Sequence, residues 1–184
     1  MSSHDFLETF LLTLALGCGL TGAITDVRTR RIPNWLTGPA MLAGLGLHLL
    51  AGGWGECGNS LLSLLLCGGL FLVFHLAGGM GAGDVKLIAA EGCLLNLQNA
   101  GSLLLYTVLC GGVMGIALAL RRGQMRRTLA NVFVLTSHHG RNGLHPHPEL
   151  NLLNTNTLRL PYALAITSGC VLTIVLQHVS GPSL

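Results

Sequence analysis

Charge is absent from long stretches of this chain: residues 32–55, 57–83, 92–120 and 160–184 hold no Asp, Glu, Lys or Arg. Soluble domains are about 25% charged, whereas here the share is 9% over 184 residues, with 51% hydrophobic and a mean hydropathy of +0.64. Such a chain cannot cover a water-facing surface, and its apolar blocks approach the length that crosses roughly 30 Å of hydrocarbon as a helix. An all-α, polytopic membrane protein is expected, forming one transmembrane domain over residues 1–184. The expected spans are about 6–24, 35–53, 60–78, 85–98, 102–120 and 160–179, with a loop at 121–159. The fourth is short and carries Glu91, and "NLQNAGS" at 96–102 supplies the polar reversal that separates it from the fifth.

The basic residues orient the six spans. Arg28, Arg30 and Arg31 follow the first span and Lys86 the third; Arg121, Arg122, Arg126 and Arg127 follow the fifth, and Arg141 and Arg159 precede the sixth. If the spans alternate, all ten fall on one side, which the positive-inside rule makes cytoplasmic. Both termini then face out. The first 27 residues contain Asp5 and Glu8 but no Lys or Arg, so the basic start of a secretory signal is missing. Five of the six cysteines fall inside spans, where Cys acts as a small hydrophobe, and no CxxC pair offers a zinc site.

On this map two carboxylates share one depth. Asp26 closes the first span in "DVRTRRIPN", and Asp84 opens the fourth in "GMGAGDVKL". Acidic groups at the membrane are costly and mark functional sites. Two adjacent carboxylates share one proton, so that one can activate water while the other protonates a leaving group. That is the requirement for peptide hydrolysis without a covalent intermediate. Gly78, Gly79, Gly81 and Gly83 permit positive φ and let a substrate backbone come close. Pro33 is expected in a turn that extends Ile32, and Asn34 as the cap of the helix that follows. Taken singly, the aspartates also fit helix capping, and the glycines fit small-residue helix packing.

Together these residues resemble a known family. "GAGD" at 81–84 is similar to the Gly-x-Gly-Asp motif of intramembrane aspartyl proteases. Its extended form, paired with "DVRTRRIPN", resembles the type IV prepilin peptidases, and "LRLPYALAI" at 158–166 is similar to the start of that family's last helix. The resemblance implies that Asp26 and Asp84 are catalytic, and that Gly81, Gly83, Lys86, Pro33 and Asn34 serve structure or substrate placement. It implies prepilin or pseudopilin substrates, cleaved after a glycine at the cytoplasmic face of a bacterial inner membrane, with no metal or other cofactor. The bilayer is an expected partner and nucleic acid is not. Only 25 residues precede Asp26 and no CxxC occurs, so the short form serving Flp/Tad-type (CpaA/TadV-like) systems is expected, without N-methyltransferase activity.

Two other classes compete. A proton-coupled transporter would also bury carboxylates, but with internal repeats and helices interrupted at the midplane. A non-catalytic pilus-assembly subunit would have no use for paired acids. Glu91, seven residues after Asp84, shares its helix face, and His138, His139, His145 and His147 cluster in the 121–159 loop.

Overall fold

The computed structural model describes residues 3–123, 125 and 161–180. The histidine cluster in the expected 121–159 loop falls outside the described residues. The described chain forms four helices and no strand: α1 (Ser3–Thr29), α2 (Asn34–Leu76), α3 (Ala82–Arg121) and α4 (Tyr162–Ser180). All four are long and apolar enough to cross a membrane.

The two longest helices are broken. In α2 the backbone leaves helical geometry at Gly52 and Gly53, the latter at φ +68°, and in α3 at Asn96, at φ +66°. Each break reverses the chain. Gly44 and Ser60 would lie about 24 Å apart on a straight helix, yet both touch Cys93: a Cβ on Gly44 would lie 2.8 Å from its Sγ, and Ser60 Oγ donates to its carbonyl at 2.7 Å. Glu91 and Thr107, equally separated along α3, meet neighbouring positions of α4, at Thr167 and Gly169 respectively. The break in α3 falls at the first residue of "NLQNAGS", where a reversal is expected, and that in α2 falls at the end of the expected second span.

Packing places small residues inside and large ones outside. The interior is built from Ala15, Cys67, Ala90, Cys93, Ala163 and Cys170 with a few large side chains, of which Phe71, Leu87 and Leu103 are fully buried. Large apolar side chains project outward from every helix, including Ile24, Leu50, Val113 and Val175. A soluble protein rarely exposes so much contiguous apolar surface, whereas membrane helices associate through small residues that bring backbones together. Buried hydroxyls join the helices: Ser63 Oγ donates to the Gly92 carbonyl at 2.6 Å, and Thr167 Oγ1 to the Gly19 carbonyl at 2.8 Å.

The α1–α3 contact fixes the register that matters for function. A Cβ on Gly22 would lie 2.9 Å from Leu87, and one on Gly19 would lie 2.5 Å from Glu91 Oε1. The helices therefore run antiparallel, with Gly19 facing Glu91 and Gly22 facing Leu87. One further turn along each brings Asp26 opposite Asp84.

Candidate active site

Asp26 lies in the last turn of α1 and Asp84 in the first turn of α3. Both are half-buried, and their carboxyl groups are close enough to interact electrostatically. Each is held by a helix N-terminus. Asp84 accepts the backbone N–H of Gly81, the N-cap of its own helix, at 3.3 Å. The backbone N–H of Ala163, in the first turn of α4, lies close enough to Asp26 to stabilise its charge. The first turns of α3 and α4, with their unpaired N–H groups and positive dipole ends, thus converge on the pair. Arg30, just beyond α1, adds a positive charge that acts on Asp26.

The motif residues around the pair have distinct parts. Gly83 is small because Ile32 lies against it; a Cβ there would sit 3.1 Å from the Ile32 Cβ. Pro33 holds extended geometry, at φ −73° and ψ 142°, as the N-cap residue of α2. Asn34 is not the cap. It is the first residue of α2, and its Oδ1 instead accepts a 2.9 Å hydrogen bond from Lys86 Nζ, joining the two aspartate-bearing segments. Among the four glycines expected to permit positive φ, only Gly78 adopts it, at +79°. That residue turns the chain out of α2, and His75 Nδ1 secures the turn by donating to the Met80 carbonyl at 2.8 Å.

Two neighbours of the pair were not singled out from the sequence as site residues. Tyr162 opens α4, stacks edge-on against Phe71 at 6.2 Å, and lies within the electrostatic reach of Asp84. Its hydroxyl fits over Gly111, where a Cβ would lie 2.9 Å away. Ala163 contributes only its backbone. The one sequence signal was Pro161-Tyr162 at the head of the last apolar block.

Glu91 is the unusual group. It is fully buried two turns beyond Asp84, and the Cys170 thiol is the polar side chain that approaches its carboxyl group. Gly19, Thr167, Cys18, Cys67 and Cys170 surround it. No group of three or more His, Cys, Asp or Glu among the described residues is arranged to hold a metal ion, and all six cysteines are free thiols.

The sequence profile of the type IV leader peptidase family matches residues 11–116, which include both aspartates and their flanking motifs. The chain belongs to the type IV leader peptidase family. It is similar to the prepilin leader peptidase/N-methyltransferase of Aeromonas hydrophila, 34% identical over 129 residues, covering 60% of this chain and 44% of that protein. It is also similar to the prepilin leader peptidase/N-methyltransferase of Aeromonas salmonicida (strain A449), 36% identical over 123 residues, covering 63% of this chain and 41% of that protein. The matches thus span less than half the length of these curated relatives. No solved structure matches.

Proposed function

We propose that this protein is a membrane-embedded aspartic endopeptidase that removes the basic leader peptide from type IV prepilins of the Flp/Tad kind. Asp26 and Asp84 are its catalytic pair. The observation that carries this reading is the α1–α3 register, which sets one carboxylate opposite the other with a helix N-terminus beside each.

The chemistry follows from that arrangement. Two facing carboxyls hold one proton between them. The ionised member draws a proton from water, and the resulting hydroxide adds to the scissile carbonyl. The protonated member polarises the carbonyl oxygen and then supplies a proton to the departing amine. The helix N-termini at Gly81 and Ala163 offset the repulsion between the two acids, as anions are stabilised there. The pair acts as one titrating unit.

In the membrane, α2 and α3 each contribute two crossings separated by their reversals. The chain then spans the bacterial inner membrane six times, with both termini outside and the site at the cytoplasmic face. The abundance of Arg near Asp26 is consistent with that side. Both helix breaks are chain reversals at the end of the bundle away from the aspartates, which supports the peptidase reading over a transporter with helices interrupted at the site.

Reconstitution in proteoliposomes with a Flp-type prepilin tests the proposal. Mass spectrometry should show cleavage after the glycine that precedes the pilin's hydrophobic helix, and Asp84→Asn should abolish it. Cleavage elsewhere, or full processing by a folded Asp84→Asn protein, would refute it.

A further inference from the structure

At the other end of the bundle the two chain reversals enclose a second polar feature, independent of the aspartate pair. A cavity of about 460 Å³ opens between the start of α1, the breaks in α2 and α3, and the end of α4. Its volume is in the range of small-molecule sites. Glu8, eighteen residues before Asp26 on the same helix, stands at its rim, which places the cavity about 27 Å from the aspartate pair at helical rise.

The groups turned to this cavity are mainly acceptors. His48 lines it and is only 6% exposed. Its Nδ1 is 2.8 Å from the Gly44 carbonyl, which can only accept, so the ring proton lies there. In the neutral ring Nε2 is then the acceptor. Gln177 Oε1 is buried without a partner among the described residues. Glu56 uses Oε2 to accept from Asn96 Nδ2 at 2.7 Å, leaving Oε1 available. Asn99 donates to the Leu95 carbonyl at 3.0 Å, which leaves its own carbonyl oxygen available. No Lys or Arg lines the cavity, while Leu11 and Leu94 give it an apolar side.

The backbone around this feature is strained. Asn96 holds φ +66° and ψ 169°, a region almost reserved for glycine. Its side chain is fastened at both atoms, Nδ2 to Glu56 and Oδ1 to the Leu97 N–H at 2.6 Å. That strain positions the Glu56 carboxylate in the cavity wall, where unpaired acceptors in a half-buried setting are costly unless a donor arrives.

We propose that this cavity binds a small organic ammonium ion. A cation carrying several N–H donors satisfies the carboxylates, the His48 Nε2 and the carboxamide oxygens together, and a short alkyl chain covers the leucines. A bare metal ion fits less well, since no three His, Cys, Asp or Glu among the described residues converge on one point and the volume far exceeds one ion.

Isothermal titration of the full-length protein in non-ionic detergent at low ionic strength, with 1,4-diaminobutane as the probe, tests the site. Saturable binding is expected for the wild type and for Asp84→Asn. Glu56→Gln keeps an acceptor for Asn96 but removes the charge, and should weaken binding at least tenfold. Glu8→Gln, at the exposed rim, should weaken it in the same direction without risk to the fold. In nanodiscs, binding lost when phosphatidylethanolamine replaces phosphatidylcholine assigns the ammonium to the lipid headgroup, and retained binding assigns it to a soluble amine. The proposal is overturned by absence of saturable binding, by wild-type affinity in both Glu variants, or by saturation with calcium chloride but not with the diamine.

Discussion

The register of α1 against α3 brings the two aspartates together, and Gly19→Ala perturbs it directly. The added methyl would lie 2.5 Å from Glu91 Oε1 and 3.2 Å from both Thr167 Oγ1 and Cγ2. Carbon atoms settle near 3.5 Å from their neighbours, so something must move by most of an ångström. Glu91 is fully buried, so its carboxyl group must shift within the interior. Overpacking of this kind costs about 2 kcal/mol, against which alanine returns about 0.5–1 kcal/mol of helix propensity. Unfolding of the wild type, Gly19→Ala, Glu91→Ala and the double variant in SDS-containing mixed micelles measures the coupling. In the Glu91→Ala background the obstruction is gone, so Gly19→Ala should become neutral or stabilising, with a coupling of about 2 kcal/mol. Prepilin processing should fall in Gly19→Ala and recover in the double variant, because the same methyl pushes Asp26 away from Asp84. Costs that simply add, within about 0.5 kcal/mol, would refute the register.

Gly169→Ala meets the Thr107 backbone as well as its hydroxyl, with N at 2.6 Å and Cα at 2.8 Å, and should cost about 3 kcal/mol in the same unfolding assay. Gly78→Ala, at φ +79°, should lose about 1–2 kcal/mol to left-handed strain. Gly79→Ala, which meets only the Phe74 carbonyl at an ordinary 3.5 Å, should be close to neutral. Lys86→Met removes the hydrogen bond to Asn34, an exposed contact, and should change stability by no more than about 1 kcal/mol while processing continues.

The helices and the aspartates were legible because both leave strong one-dimensional signals. Apolar blocks mark the helices, and a carboxylate beside glycines stands out where charge is rare. The reversals at Gly52–Gly53 and Asn96 were legible for the same reason, as polar or glycine-rich interruptions. What the sequence hid was any contact joining residues far apart in the chain. Nothing local shows that the start of α4 at Ala163 lies beside Asp26, or that Tyr162 lies near Asp84. Asn34 illustrates the limit: its position after Pro33 has a capping pattern, but a lysine 52 residues away takes the side chain. The glycines show the other side of it. Composition identifies them as special, yet only the fold shows that Gly78 serves a turn, Gly83 accommodates Ile32, and Gly19 leaves room for Glu91.

Single-turnover cleavage of a prepilin by Asp26→Asn, Asp84→Asn and the double variant, each at matched folded concentration, addresses the claim that the two carboxylates work as one unit. If they share a proton, losing either should abolish the step, so each single variant should fall at least about 1,000-fold and the double variant no further. Cleavage by either single variant within tenfold of the wild type, or losses that multiply in the double variant, would contradict the aspartate-pair mechanism.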